Sequence, residues 1–288
     1  MPEGDTIFRA ARTLHRALAG HTVTEFESVF PTLTRIDQNQ RLRGRVIESV
    51  VPRGKHLLMS FSGGLILRTH MRMNGSWHIY RPGERWMRPR HQMRIVVGTD
   101  DFEAVAFDVP VAELLTTKEL ARGGPVTELG PDLLSDAFDP AEAAARITAR
   151  GEMEIADALL DQRALAGIGN IYKSEILFVA RVNPFSLVSA LPPASIATLV
   201  ATATKLMRAN ITESSEGITT YRGLRQARGQ FERSARLWVY GRSGKPCRKC
   251  GTPIVRRKQG PNARSTYWCE TCQPAAGPQD PPYAAAGP

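Results

Sequence analysis

All four cysteines of this 288-residue chain lie near its C-terminus, as Cys247-x-x-Cys250 and Cys269-x-x-Cys272, with 18 residues between the pairs. Four thiolates in two close pairs suit one tetrahedral zinc ion, at the spacing of a zinc ribbon. Two disulfides would use the same residues, and a CxxC pair can also serve redox chemistry. A reducing cytosol disfavours the first, and the matched second pair disfavours the other. Four protein ligands close the coordination sphere and leave no position for substrate, so the zinc is expected to be structural.

The chain is long enough for two domains, each with its own core. It has 42% hydrophobic and 23% charged residues, ordinary values for a folded globular protein. No run of about 18 apolar residues occurs, and MPEGDTIFRA lacks the basic-then-apolar pattern of a signal peptide. A soluble, cytoplasmic protein with no membrane partner is expected. The net charge of +10 is uneven: residues 221–272 hold thirteen Lys/Arg against Glu232 and Glu270, so the rest is near neutral. Such a segment suits a polyanion such as DNA, although a solvated basic surface gives the same count.

Residues 3–18 read as a helix, with Ile7, Ala11, Leu14 and Leu18 at helical spacing. From 23 to 107 the texture changes to short alternating runs broken by Gly, Pro and Asp, as at 45–51, 56–61, 65–69 and 93–97. That predicts a mostly antiparallel β domain. Residues 123–134 (GGPVTELGPDLL) read as a linker, and 140–210 as helical, with Pro192-Pro193 opening one helix. The basic stretch 221–245 leads into the cysteine module. The tail QPAAGPQDPPYAAAGP holds too much Pro, Ala and Gly to pack.

The start, Met1-Pro2-Glu3-Gly4, carries chemistry. Removal of Met1 would expose a secondary amine, and an α-amino group titrates near pH 8, so a useful fraction is nucleophilic in the cell. Attack on the anomeric carbon of a damaged nucleotide would displace the base and leave an iminium. That electron sink acidifies the neighbouring sugar proton and permits strand cleavage by elimination. Glu3 would move protons to and from the sugar. An ordinary helix start reads the same way when taken alone.

Further segments fall in a telling order: Arg53-Gly54-Lys55-His56, Leu129-Gly130-Pro131-Asp132, the run 160–172 (LDQRALAGIGNIY), Val239-Tyr240-Gly241-Arg242, and Arg264 five residues before Cys269. With Pro2-Glu3 and the four cysteines they resemble the formamidopyrimidine-DNA glycosylase/endonuclease VIII family over almost all of residues 1–272. The resemblance implies an α+β multidomain fold: an N-terminal helix plus β-sandwich (1–130), a helical helix–two-turns–helix domain (131–240), a zinc ribbon (241–273) and a disordered tail (274–288). DNA is expected in the cleft between the two main domains. The implied activity is bifunctional excision of oxidised bases and strand cleavage through Pro2, Glu3 and Lys55. Gly167 and Gly169 would let the backbone approach a phosphate at a helix start, and Asn170 and Arg264 would hold phosphates.

The chain also departs from the family. Thr6 stands where members usually carry a second acid, with Asp5 beside it. An enzyme acting on a base in a duplex must flip it out and fill the gap. The segment 69–77 (THMRMNGSW) aligns with the void-filling loop, making Met73 the candidate wedge with Arg72 beside it, although Met73 could equally be core. Pro-Glu-Gly favours the endonuclease VIII branch and oxidised pyrimidines. Against this, 217–230 (GITTYRGLRQARGQ) is about as long as the loop with which the other branch covers 8-oxoguanine. A formamidopyrimidine/8-oxoguanine glycosylase and a catalytically silent damaged-DNA-binding paralogue are the alternatives. The expected cofactor is one structural Zn2+, the partner damaged double-stranded DNA, and the state monomeric. No phosphate-loop or dinucleotide fingerprint points to a nucleotide cofactor.

Overall fold

A computed structural model of the chain describes residues 2–212, 218–221 and 233–275. They fall into two compact units, Met1–Leu129 and Gly130–Pro288. The first unit opens with α1 (Gly4–Leu18), whose Ile7, Ala11, Leu14 and Leu18 are almost wholly buried. The strands follow as β1 (Glu25–Ser28), β2 (Ile47–Arg53), β3 (His56–Phe61), β4 (Leu65–His70), β5 (Ser76–Tyr80), β6 (Met93–Gly98), β7 (Glu103–Phe107) and β8 (Val111–Thr116). They form two antiparallel four-stranded sheets, ordered β1-β6-β7-β5 and β2-β3-β4-β8.

One core joins α1 to both sheets. Leu57, Met59, Phe61, Leu65 and Leu67 from one sheet pack with Ile95, Val97, Ala104 and Ala106 from the other, the period-2 spacing of inward-facing strand residues. The opposite faces are covered too. Leu58 and Ile66 pack under Val126, and Val96, Val105 and Phe107 pack under Trp86. This two-sided burial turns strands such as 56–61 into near-continuous apolar runs, and it makes the expected helix-plus-sandwich.

The mostly antiparallel β reading of 23–107 holds, with one helix, α2 (Pro31–Asn39), set between β1 and β2. That helix buries fully only Leu33, so its periodic signal is weak; Pro31 at its first turn was the legible cue. A short α3 (Thr117–Ala121), closed by a capping box between Thr116 and Glu119, was also unread.

The second unit holds α4 (Pro140–Thr148), α5 (Ile155–Leu160), α6 (Asn170–Val179) and α7 (Pro193–Thr212), then the antiparallel pair β9 (Val255–Gln259) and β10 (Arg264–Trp268). Asp139 caps α4 by accepting from the Ala141 N–H at 2.8 Å, and α7 opens at Pro193. Helix α6 lies against β10, and Phe178, Val239, Ile254, Cys247 and Cys269 form the core beside the cysteine module. Most of the 217–230 loop and most of the C-terminal tail lie outside the described residues. Among the described residues no helix is long and apolar enough to cross a membrane.

In the second sheet a polar cluster runs from the buried Arg68 and His56 out to the half-exposed Glu113. Arg68, 3% exposed, grips Glu113 through Nε at 3.0 Å and Nη2 at 2.6 Å. Its Nη1 donates to His56 Nδ1 at 3.0 Å, so that nitrogen is an acceptor and the ring is neutral. Burial, then the charges of His70, Arg68 and Lys55, push the His56 pKa down to about 3. A histidine neutral when folded and ordinary when unfolded takes up protons on unfolding between about pH 3 and 6.5. Its stabilisation is therefore complete above that window and lost as pH falls through it. The unfolding free energy from urea titration should drop below pH 6.5, by up to about 1.4 kcal/mol per pH unit from this one group. His56→Gln should flatten that decline, and an unaltered slope would contradict the assignment.

Candidate functional site

Pro2 is half-buried at the start of the first unit, and Glu3 follows as the residue preceding α1, fully buried. Glu3 is extended (φ −118°, ψ −176°), and its main-chain oxygen accepts from the Ile7 N–H at 3.0 Å. Its side chain does not cap the helix. Glu3 thus occupies the N-cap, at the positive end of the α1 dipole, one residue from the amine that Met1 removal would expose. Thr6 brings no carboxylate. Asp5 is also fully buried, but its Oδ2 is engaged by Arg9 Nη2 one turn on, at 3.3 Å. Burial raises the Asp5 pKa, and Arg9 and Thr6 offset part of that.

Lys55 sits at the tip of a two-residue hairpin, with Arg53 and His56 as the flanking pair. Gly54 takes the left-handed position (φ 57°) that such a tight turn requires. Across the register His56 pairs with His70, their rings edge-on at 4.8 Å. His70 Nδ1 accepts from the Arg72 main-chain N–H at 3.1 Å. Burial and the charges of Lys55, Arg72 and Arg68 hold the His70 pKa down to about 4. The structure therefore gathers Lys55 and Arg72 around a neutral His70, a residue to which sequence reasoning assigned no role.

The loop after β4 separates two methionines. Met71 is core at 2% exposure, whereas Met73 is 58% exposed. The Gly75 N–H closes the turn on the Met71 carbonyl at 2.9 Å. A Cβ on Gly75 would lie 2.6 Å from that oxygen, so only glycine closes it. Arg72 holds a left-handed φ of 46° just before the exposed methionine.

In the second unit, α5 and α6 are joined by two turns. Gln162 staples them: its Nε2 donates to the carbonyls of Leu160 at 2.9 Å and Ile168 at 3.0 Å, and its Oε1 accepts from the Gly167 N–H at 3.1 Å. Gly167, at φ 104°, thus contributes the turn, with its N–H already engaged. Gly169 is the N-cap of α6, and its carbonyl accepts from the Lys173 N–H at 2.9 Å. Asn170 opens the helix, and its Nδ2 donates to the Ser265 carbonyl at 2.9 Å. Ser265 follows Arg264, which is exposed at the start of β10, so Asn170 is bonded to the backbone of the residue beside Arg264.

The four cysteine sulfurs lie within 4.8 Å of one another. Cys247 to Cys272 is 3.9 Å, Cys250 to Cys269 is 3.4 Å and Cys250 to Cys272 is 3.5 Å. Zinc–sulfur bonds of about 2.3 Å in a tetrahedron set sulfurs about 3.8 Å apart, so the cluster fits zinc. The cysteines form no disulfide.

Sequence reasoning missed the two groups that join α6 to this module. Glu175 is fully buried. Its carboxylate accepts from the main-chain N–H groups of Trp238, Val239 and Tyr240 at 2.8, 2.9 and 2.8 Å, and from the Thr220 hydroxyl. Burial raises its pKa and these four donors offset part of that. Lys173, 1% exposed, donates to Asn170 Oδ1 at 2.8 Å, Thr266 Oγ1 at 2.7 Å and the Ser265 carbonyl at 3.3 Å.

Comparison with known proteins gives three family matches. They are the formamidopyrimidine-DNA glycosylase N-terminal domain over residues 1–110, the formamidopyrimidine-DNA glycosylase H2TH domain over 129–222, and a zinc finger found in FPG and IleRS over 244–275. A probable endonuclease 8 2 of Streptomyces coelicolor is 43% identical over 290 residues, covering 100% of this chain and 98% of the relative. A protein of Mycolicibacterium smegmatis, named DNA-(apurinic or apyrimidinic site) lyase Nei2, is 37% identical over 279 residues, covering 96% and 100%. The Lactococcus lactis formamidopyrimidine-DNA glycosylase, solved with DNA containing an abasic site, shares the fold: TM-score 0.79, 24% identity, 95% of this chain and 100% of that one. The chain belongs to the formamidopyrimidine-DNA glycosylase/endonuclease VIII family, on its endonuclease VIII side.

Proposed function

We propose that the protein is a bifunctional DNA glycosylase and abasic-site lyase of base excision repair, acting as a monomer in the cytoplasm on oxidised bases in duplex DNA, oxidised pyrimidines foremost. The observation that carries this reading is Pro2 next to a fully buried Glu3 at the positive end of α1. It occurs in a chain similar end to end to proteins named endonuclease 8 and abasic-site lyase.

In this reading the Pro2 nitrogen attacks C1′ of the damaged nucleotide, and the C1′–N bond breaks as the base leaves with a proton. Glu3 supplies and recovers protons at the sugar. The C1′–O4′ bond then breaks, with O4′ taking a proton from Glu3, and the ring-opened sugar is left as a C1′=N iminium on Pro2; the iminium acidifies the C2′ hydrogen, whose loss expels the 3′ phosphate and nicks the strand. Lys55 assists departure of the base or holds the adjoining phosphate, and Asn170 and Arg264 grip the flanking phosphates. Met73 enters the gap left by the flipped nucleotide, with Arg72 beside it; its exposure and its glycine-closed turn suit that task. One zinc ion, held by Cys247, Cys250, Cys269 and Cys272, would lock the hairpin that carries Arg264 and take no part in the chemistry.

The reading is tested by offering duplexes with an oxidised pyrimidine, 8-oxoguanine or a preformed abasic site and scoring base release and nicking. Fastest release of the oxidised pyrimidine is expected; preference for 8-oxoguanine would move the protein to the other branch, and binding without nicking would make it a silent paralogue. Glu3→Gln should lower base release by about a hundredfold or more with DNA affinity retained, and normal release would remove its proton-transfer role. Cys250→Ser should release zinc, measured by metal analysis, and weaken DNA binding; full affinity without metal would contradict the structural role. Arg264→Ala should reduce the slope of log affinity against log salt by about one, and an unchanged slope would deny it a phosphate.

A further inference from the structure

Lys173 takes no part in that chemistry, yet it is a 1% exposed ammonium in the helix that Asn170 opens. An ammonium only donates hydrogen bonds. Asn170 must therefore present Oδ1 to Lys173 Nζ, at 2.8 Å, and turn its Nδ2 the other way. One Nδ2 hydrogen goes to the Ser265 carbonyl at 2.9 Å, and the second is taken up by no described residue.

The direction propagates. Thr266 Oγ1 accepts from Lys173 at 2.7 Å and donates to Gln259 Oε1 at 2.6 Å. Gln259 Nε2 in turn donates to the Pro184 carbonyl at 3.0 Å and to Glu154 Oε2 at 2.7 Å. A chain of donors thus runs from the Lys173 ammonium to the Glu154 carboxylate, joining α6, both strands of the β9–β10 hairpin and the residue preceding α5. Buried chains of this kind strengthen one another when every member is satisfied.

Resting on the reading of Asn170 as a phosphate ligand, we propose that Lys173 is a positioning residue that presets the Asn170 amide with an N–H toward the DNA phosphate. It acts through Asn170 and does not touch the phosphate. Removing the ammonium leaves Asn170 Oδ1 and Thr266 Oγ1 without a buried donor and releases the amide to flip.

The test is a double-mutant cycle on the full-length, zinc-loaded protein, reading affinity per folded molecule for a duplex with a tetrahydrofuran abasic-site analogue across a salt series. Lys173→Met should weaken binding about ten- to a hundredfold, and Asn170→Ala by a similar factor. The double variant should be no weaker than Asn170→Ala alone. The salt slope should stay at the wild-type value in Lys173→Met, in contrast to Arg264→Ala. Lys173→Gln, which keeps a donor without the charge, carries the same cycle should Lys173→Met fail to hold zinc. Independent, multiplying losses, a salt slope reduced by about one in Lys173→Met, or a defect confined to melting temperature with affinity intact would each overturn the inference. If Asn170→Ala binds normally, the phosphate reading of Asn170 fails first; if it binds weakly while both Lys173 variants bind normally, the inference alone fails.

Discussion

Helix α6 carries an anion and a cation in its buried length, and the second unit is organised around what each of them holds. A carboxylate with no water around it is costly unless its lone pairs are filled. Glu175 fills its own with three successive backbone N–H groups and a threonine hydroxyl. Those N–H groups belong to 238–240, the stretch leading into the cysteine module, so the helix holds that connection by its backbone. Two residues earlier in α6, Lys173 holds β10. The four cysteine sulfurs lie together inside the module, and the Glu175 and Lys173 contacts attach it to the helix. Arg264 is presented from a hairpin fixed at both ends.

The first unit solves a different problem. In the proposed mechanism a nucleophilic amine and a proton-shuttling carboxylate must be neighbours, and placing both at the start of a chain achieves that only if the chain start is itself immobilised. The α1 stripe of Ile7, Ala11, Leu14 and Leu18, sunk into the sandwich core, does this. Thr6 removes one carboxyl from the usual set, and the remaining extra acid, Asp5, is tied to Arg9 in its own helix. The charge state at the helix start is therefore governed by Glu3 and Asp5, both out of water.

What could be read without coordinates was what lies close in sequence. The α1 stripe, the CxxC spacing and the run through Gly167 and Asn170 each declare themselves within a few turns of chain. What escaped depends on distant partners. Lys173 and Glu175 sit in a run, NIYKSEILF, that looks like an ordinary core helix, and their partners lie up to 93 and 65 residues away. His70 is held neutral by burial and by the lysine and arginine charges gathered around it. Met71 and Met73 are two residues apart in an irregular turn, where neither strand nor helix periodicity says which one faces the core. Helix α2 escaped because it buries fully only one side chain.

In the proposed mechanism the N-terminal proline is the covalent catalyst. The most direct measurement is borohydride reduction of the protein with a duplex bearing an abasic site, followed by peptide mapping of the adduct. A covalent adduct located on Pro2, and lost when the N-terminal amine is acetylated beforehand, is the predicted result. An adduct on a lysine, or none from protein whose Met1 has been shown by mass to be removed, would contradict it.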